Sequence, residues 1–320
     1  MPYPALPWPL AAFSPGINET FVDENSHPDQ SRFERHPRML ECAWLGHLPR
    51  RDRKKVMGSP SLRNDAQSFA LYPSLRSRVV LITGGASGIG EAIVEAFARQ
   101  NAKVAFLDVQ KDAGKALIRR ISEAGCPTPM FIECDLTDTE LSQAAVSRVV
   151  EALGDVDVLV NNAGNDTRHH INEVTPELWD QLIAVNLKQQ FFMCQSVIPG
   201  MRRLGRGSII NLSSIAWAIP STNVPVYATA KAAIVGMTRT LAHELGPDNI
   251  RVNCVMPGCI WTERQQRLWF TDAYKAQMLE RQALKRLLQP NEVARLILFL
   301  AADDSSAITN QSHVVDGGWV

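Results

Sequence analysis

Tyr227 and Lys231 lie four positions apart in the segment Tyr227-Ala-Thr-Ala-Lys231, a spacing that places two side chains on the same face of a helix. A phenol loses its proton near pH ~10 and is a poor base at neutral pH. An ammonium group nearby favours the phenolate, so we expect Lys231 to lower the pKa of Tyr227 and allow proton exchange with a substrate hydroxyl. Ser214, upstream of this pair, could hold the same substrate oxygen.

A glycine-rich turn follows the first predicted strand. The β-branched run Val79–Thr83 is followed by the glycine segment and then by an amphipathic stretch, Glu91–Gln100. Strand, glycine turn and helix in this order are typical of the first unit of a nucleotide-binding βαβ fold. The backbone N–H groups and the helix N-terminus can bind a pyrophosphate. The predicted contacts in this turn are Gly84, Ser87, Gly88, Ile89 and Gly90.

A second predicted strand, Lys103–Asp108, ends in a carboxylate about 20 residues beyond the glycines. A carboxylate at that place can bind the ribose hydroxyls of the cofactor and repels a 2′-phosphate. No basic residue follows Asp108 until Lys111. The sequence therefore predicts NAD in preference to NADP.

Helical and strand patterns alternate as far as Val315, which predicts the α/β class: a single doubly wound Rossmann domain with a seven-stranded parallel sheet. One helix is predicted to run unbroken over Pro176–Arg203. Ligands bind beyond the carboxyl ends of such strands. Polar or glycine residues follow the predicted strands at Asp108, Asp135, Asn162, Ser214 and Pro257-Gly258. One crevice could collect them all.

Composition narrows the function classes. The 320 residues carry 33 basic and 33 acidic side chains and are 45% hydrophobic. This balance gives no argument for a nucleic-acid or membrane partner, and no apolar run approaches the ~20 residues of a membrane span. The six cysteines show neither paired nor metal-ligand spacing, so we expect no metal, reduced thiols and a cytoplasmic location.

Residues 1–73 differ from the rest in being proline-rich and without helical or strand periodicity. We expect a disordered N-terminal extension here, with the Rossmann domain over 74–320. The basic cluster Arg50–Lys55 is interpreted as a solvated run, and Met57 could serve as an alternative start. No function is assigned to this segment.

Leu75–Val320 resembles the short-chain dehydrogenase/reductase family. The matching features are the glycine turn, Asp135, Asn161-Asn-Ala-Gly164, Asn186, Ser214, the Tyr227–Lys231 pair and Pro257-Gly258 with Thr262. The resemblance implies that Asn186, Ser214, Tyr227 and Lys231 form a catalytic tetrad. Tyr227 would exchange the proton and Ser214 would hold the substrate oxygen. Lys231 would bind the nicotinamide ribose, and Asn186 would hold a water that relays protons to it.

The same resemblance implies further cofactor contacts. Asp135 and Leu136 would lie near the adenine, and Asn162, with Ala163 and Gly164, near the adenine-side ribose. Ile260 and Thr262 would lie near the carboxamide, and Pro257 and Gly258 are further predicted cofactor contacts. The family also implies a homo-oligomer, a dimer of dimers, that pairs the apolar helices around 182–198 and 234–245.

A narrower similarity is to the bacterial D-xylose 1-dehydrogenases and related aldose dehydrogenases. It rests on five segments: Asn162–His170, Val174–Pro176, Gln190–Phe192, Ile215–Trp217 and Asp316–Trp319. This implies a sugar substrate whose anomeric hydroxyl is oxidised to a lactone with NAD. Ala216, Ala228 and residues 166–168 depart from the subgroup, which leaves the identity of the sugar open.

Several residues are expected to border the substrate. Asn165 and Trp217 are candidate substrate contacts beside Ser214 and Tyr227. His169 and His170 are interpreted as solvated loop residues, and Asp166 as a turn residue. Residues 265–267 belong to a stretch that often forms a mobile lid in this family, and Trp261 and Trp269 would supply its apolar underside.

Two other functions stay open. One is a different short-chain enzyme acting on a polyol, a secondary alcohol or a 3-oxoacyl thioester, although Asp108 argues against the NADP that a thioester reductase prefers. The other is a non-catalytic dinucleotide sensor built on the same fold. Loss of Tyr227 or Lys231 would indicate a sensor, and both residues are present.

Overall fold

A computed structural model describes residues 70–320. Most of the predicted N-terminal extension, including the basic cluster and Met57, lies outside the described residues. The chain is held against the domain from the first described residue. Gln100 donates from Nε2 to the Ala70 carbonyl oxygen at 2.9 Å and accepts from the Tyr72 N–H at 2.9 Å.

Seven strands form one sheet in the order β3-β2-β1-β4-β5-β6-β7, and every pairing in it is parallel. The predicted seven-stranded parallel sheet is confirmed. The order reverses between β1 and β4, which opens a crevice at the carboxyl ends of these two strands. The strands are β1 (Val79–Thr83), β2 (Lys103–Asp108), β3 (Met130–Glu133), β4 (Val158–Asn161), β5 (Gly207–Leu212), β6 (Ile250–Pro257) and β7 (Ser312–Val315).

Helices cover both faces of the sheet. Along β1, Val80 and Ile82 join the core that packs against one helix layer, while Val79 and Leu81 join the core on the opposite face. Burial on both faces explains why a central strand such as β1 is a continuous apolar run instead of an alternating one. The helices are α1 (Gly88–Arg99), α2 (Lys111–Glu123), α3 (Thr139–Leu153), α4 (Pro176–Ile183), α5 (Gln189–Leu204), α6 (Pro225–Leu245), α7 (Glu263–Leu268), α8 (Asp272–Arg281) and α9 (Pro290–Ala301).

The predicted helix over Pro176–Arg203 is helical along its whole length, but it is not α-helical throughout. A π-helical turn, Ala184–Lys188, separates α4 from α5. Its central residue, Asn186, is fully buried, and its Nδ2 donates to the Leu182 carbonyl oxygen at 3.0 Å. The periodic apolar pattern continues through the turn, so the sequence shows no interruption there. A π-turn inside a helix often marks a functional site.

Asp157 and Asp155 lie just before β4. Asp157 is buried, whereas Asp155 forms an ion pair with a solvent-exposed arginine. Asp157 is 6% exposed and accepts from the Val79 N–H at 3.0 Å, from Arg78 Nη1 at 3.2 Å and from Arg206 Nε at 2.9 Å. Asp155 pairs with Arg203, whose side chain is 62% exposed. Asp157 therefore ties β1, β4 and the segment before β5 together at the amino edge of the sheet.

We expect Asp157→Ala to lower the free energy of unfolding by about 3 kcal/mol, because it leaves buried donors without the carboxylate that accepts their hydrogen bonds. Asp155→Ala, which breaks a solvent-facing pair, should cost less than about 1 kcal/mol. Urea unfolding of both variants measures the difference. Equal losses would contradict the role given to Asp157.

Candidate active site

Several positions of the glycine turn between β1 and α1 accept only glycine. Gly84 and Gly88 have φ angles of +64° and +60°, which disfavour residues with a side chain. A Cβ at Gly90 would lie 1.8 Å from the Gly84 carbonyl oxygen. Ser87, the residue before α1, makes no side-chain capping bond, so the first N–H groups of α1 suit a phosphate. The predicted pyrophosphate site therefore fits the structure.

Side chains from neighbouring strands fix the conformation of this turn. Asn162 donates from Nδ2 to the carbonyl oxygens of Thr83 and Gly84, at 3.0 and 2.8 Å. Asp108 accepts from the Ala86 N–H at 2.9 Å and, with its other oxygen, from the Gln110 N–H at 2.9 Å. The Asn162 side chain, which the family resemblance places near the ribose, thus holds the turn in shape. The carboxylate oxygens of Asp108 retain lone pairs that could accept from ribose hydroxyls.

The predicted adenine side lies at the carboxyl end of β3. Asp135 is exposed and accepts from the N–H and the hydroxyl of Thr137, at 2.9 and 2.7 Å. Leu136 is buried. A cavity of about 280 Å³ is lined in part by Asp135 and Val109. Both predicted residues are thus placed beyond the same sheet edge as Asp108.

The segment after β6 reaches back toward the glycine turn. A Cβ on Gly258 would lie 2.6 Å from the Cβ of Asp316, so only glycine fits there. Ile260 is buried and pairs with Leu288 in an isolated bridge. Thr262 accepts from the Gln265 N–H and so caps α7, and its Cγ2 would be 3.3 Å from a Cβ on Gly88. The residues predicted to lie near the carboxamide therefore border the same crevice as the pyrophosphate site.

The residues predicted to form a tetrad come together at Gly164. A Cβ on Gly164 would lie 3.1 Å from Asn186 Oδ1 and 3.3 Å from Lys231 Nζ. Lys231 Nζ lies 5.4 Å from the centre of the Tyr227 ring and donates to the Leu212 carbonyl oxygen at 2.9 Å. Ser214 hydrogen-bonds the Tyr227 side chain. The structure thus places all four side chains around one point.

Asn186 holds the chain that follows β4. Its Oδ1 accepts from the Asn165 N–H at 2.8 Å, and its Nδ2 donates to the Asn165 carbonyl oxygen at 3.0 Å. The resemblance implied that Asn186 holds a water. That role stays a prediction. In the structure the side chain of Asn186 positions the backbone of Asn165, which the sequence could not show.

Burial dominates the electrostatics of the catalytic pair. It raises the pKa of Tyr227, and the Asp166 carboxylate raises it further, whereas Ser214 and Arg168 act to lower it. The expectation that Lys231 would lower the pKa of Tyr227 below its ordinary value is therefore wrong for this structure, because the loss of solvent outweighs the neighbouring charges. Burial also lowers the pKa of Lys231 to about 8.

Of the two predicted substrate contacts, Asn165 is tightly held and Trp217 is open. Asn165 Oδ1 accepts from the N–H and hydroxyl of Thr167, at 3.0 and 2.6 Å, and from Arg264 Nη2 at 3.0 Å. Trp217 ends the 3-10 turn that Ser214 caps, and it is 40% exposed. An exposed indole beside Ser214 offers a face that a ligand could cover.

The segment Trp261–Tyr274 contains the predicted lid, and it is called the lid below. It lies against the loop after β4 through contacts that the sequence did not reveal. Asp166 accepts from Gln265 Nε2 at 2.6 Å and from Arg264 Nε at 3.4 Å. The Arg168 guanidinium lies 5.2 Å from the ring centre of Trp269 and 5.9 Å from that of Tyr274. Asp166 was interpreted as a turn residue only. Its partners lie far along the chain and leave no local pattern.

Known proteins match this chain over the described domain. A family model described as enoyl-(acyl carrier protein) reductase matches residues 84–320. The "Probable galactose dehydrogenase GalD" of Rhizobium meliloti is 51% identical over 247 residues, which are 77% of this chain and 96% of that protein. The chain belongs to the short-chain dehydrogenase/reductase family. The D-xylose 1-dehydrogenase of Caulobacter vibrioides is 47% identical over 252 residues, 79% of this chain and 99% of that protein.

A solved family structure shows a bound cofactor. A 7α-hydroxysteroid dehydrogenase complexed with NADH and 7-oxo-glycochenodeoxycholic acid has a TM-score of 0.74 and 31% identity. The match covers 77% of this chain and 96% of that one. Family membership makes this chain an oxidoreductase that acts on CH–OH groups of a small molecule with a nicotinamide cofactor.

Residues 70–320 contain neither a candidate metal cluster nor a candidate membrane span. No group of three or more His, Cys, Asp or Glu side chains there could hold a metal ion. No helix in the same range has the length and apolar character needed to cross a membrane.

The buried Lys231 ammonium predicts a pH-dependent stability. Folding lowers the pKa of Lys231 from its ordinary 10.5 to about 8, so the unfolded chain binds this proton more tightly. The resulting destabilisation is fully present below pH 8 and fades as the pH rises toward 10.5. Lys231→Met should therefore raise the free energy of unfolding at pH 7 by about 2 kcal/mol after the lost bond to Leu212 is allowed for.

Urea unfolding at several pH values between 7 and 10 measures this gain, which should shrink with rising pH. Lys103→Met, at an exposed position, serves as the control and should show no such trend. A loss of stability at pH 7, or a gain that does not change with pH, would contradict the burial of a charged amine.

Proposed function

We propose that this enzyme oxidises the anomeric hydroxyl of an aldose to its lactone with NAD. The observation that carries the proposal is the convergence of Ser214, Tyr227 and Lys231 at the crevice, in a chain about half identical to proteins named galactose dehydrogenase and D-xylose 1-dehydrogenase. The uncapped N-terminus of α1 behind the glycine turn supports the binding of the cofactor's pyrophosphate there.

Tyr227 is the base in this proposal. In the phenolate form, its oxygen takes the proton of the anomeric hydroxyl while the C1–H bond breaks, and the oxygen–carbon bond becomes the lactone carbonyl. The phenol must first release its own proton to solvent, and the neighbouring Lys231 ammonium favours that release. Bound NAD supplies the acceptor for the hydride that leaves C1. Ser214, which already hydrogen-bonds Tyr227, holds the reacting oxygen.

Lys231 and Asn186 support that step. With a pKa of about 8, Lys231 is mostly protonated at neutral pH and stabilises the negative charge of the Tyr227 phenolate before the proton is taken. It would also bind the nicotinamide ribose. Asn186 keeps Asn165 and Gly164 in place against the Lys231 amine.

The preference for NAD is supported by the charges at the end of β2. Asp108 carries a negative charge where a 2′-phosphate would lie, and the next residue is Val109. Lys111, the first basic residue beyond, is paired with Glu133 at 2.8 Å. A 2′-phosphate would therefore meet a carboxylate without a free cation beside it.

The assembly and location are also proposals. We infer a dimer of dimers that pairs α5 and α6 between subunits, and Phe191 on α5, 45% exposed, gives such a contact an aromatic surface. The five described cysteines, Cys126, Cys134, Cys194, Cys254 and Cys259, are free and at least partly buried, which suits the cytoplasm.

Initial rates of NADH formation with D-xylose, L-arabinose, D-glucose and D-galactose test the proposal. Tyr227→Phe should lower kcat/KM at least about 100-fold for every sugar oxidised, because general-base catalysis contributes about that much. Tyr72→Phe, outside the site, is the matched control and should keep full activity.

The same panel with NADP should give lower rates than with NAD. Reduction of an acetoacetyl thioester with NADPH, without sugar oxidation, would overturn both the substrate class and the role given to Asp108. Binding of NADH without turnover of any alcohol, polyol or thioester would instead indicate a dinucleotide sensor.

A further inference from the structure

His169 carries a buried nitrogen without a protein partner. The residue is 7% exposed, and no described residue hydrogen-bonds its Nε2. Its Nδ1 lies 3.0 Å from the Thr167 carbonyl oxygen. A carbonyl can only accept, so Nδ1 carries the hydrogen and Nε2 of the neutral ring is an acceptor. A buried acceptor without a donor is costly and rare in proteins.

The backbone places this acceptor between the catalytic helix and the lid. The His169 N–H donates to the Asn223 carbonyl oxygen at 2.9 Å, just before α6, the helix that carries Tyr227. The preceding residue, Arg168, acts on the pKa of Tyr227 and stacks on Trp269 of the lid. His169 therefore stands in the wall that joins the reacting centre to the lid.

The lid holds a complementary group. Trp269 Nε1 is also buried without a hydrogen-bond partner among the described residues, and an indole N–H can only donate. Of these two buried groups, His169 Nε2 can accept and Trp269 Nε1 can donate. A hydroxyl group both donates and accepts, so hydroxyl-rich ligands suit this pair of groups better than apolar ones do.

We propose that His169 Nε2 accepts a hydrogen bond from a ring hydroxyl of the aldose remote from C1 and thereby selects among aldoses. This inference rests on the proposed function. An aldose with that hydroxyl satisfies the buried acceptor, and an analogue without it leaves the acceptor unpaired. Sites that hydrogen-bond a substrate hydroxyl discriminate strongly against such analogues.

Two substitutions separate the Nε2 contact from the structural role of His169. In His169→Asn, the shorter amide side chain keeps a donor near the Nδ1 position for the Thr167 carbonyl but loses the acceptor, so this variant tests the acceptor alone. His169→Gln places an amide oxygen near the Nε2 position and should restore the acceptor in part. His170→Asn is the matched control, since His170 is exposed and an asparagine side chain can still cap the turn Ile171–Glu173.

The experiment measures kcat/KM of the full-length enzyme with NAD for D-galactose and its 2-, 3-, 4- and 6-deoxy analogues. The wild type should disfavour one analogue at least about tenfold. His169→Asn should lower kcat/KM for D-galactose by a similar factor but leave that analogue unchanged, so the two become equal. His169→Gln should recover part of the difference, and His170→Asn should match the wild type.

Three outcomes overturn the inference. In one, His169→Asn keeps the wild-type ranking of the analogues. In another, it lowers all sugars equally, which would indicate a packing role. In the third, the wild type oxidises no aldose, which removes the proposed function along with the inference, whereas the first two refute the inference alone. NADH binding by each variant confirms that the cofactor site is intact.

Discussion

The side-chain amide of Asn186 makes two hydrogen bonds to the backbone of Asn165, and the arrangement of the site depends on them. The π-turn carries this amide into the core, where it is fully buried. The bonds set where the chain runs after β4, so that Gly164 passes between Asn186 and Lys231. The loop that begins at Asn165 then meets the lid through Asp166. One buried amide thus links the proton-transfer residues to the segment that covers them.

On the cofactor side, too, a few side chains fix the backbone, here that of the glycine turn. Asn162 and Asp108 brace the glycine turn with their side chains, and Thr83 accepts from the N–H groups of Asn162 and Ala163 through its hydroxyl, at 3.0 and 3.1 Å. The protein's own hydrogen bonds therefore fix the shape of the turn, which admits glycine alone at Gly90. Donors that are already held in place favour binding because little conformational entropy is lost when the ligand binds.

The fold could be predicted from the sequence because it leaves local signals, and the structure brings the predicted tetrad residues close together. Alternating strand and helix patterns fix a parallel sheet, and the glycine turn and the Tyr227–Lys231 spacing are visible along the chain. The π-turn was missed because it depends on tertiary bonds of Asn186. The raised pKa of Tyr227 was missed because burial arises from packing. His169 was expected to be solvated and is buried. This was missed because its bond to the Asn223 carbonyl has no signature in the sequence.

Hydrogen–deuterium exchange of Asn186→Ala against the wild type tests most directly whether Asn186 holds the site together. The amide of Asn165 should exchange at least about tenfold faster in the variant, since about 1.4 kcal/mol of protection is lost. The amide of Asn162, bonded to the Thr83 hydroxyl, should keep its wild-type rate. Unchanged exchange at Asn165 would contradict this role of Asn186, as would equal acceleration at both amides, which would indicate general loosening of the domain.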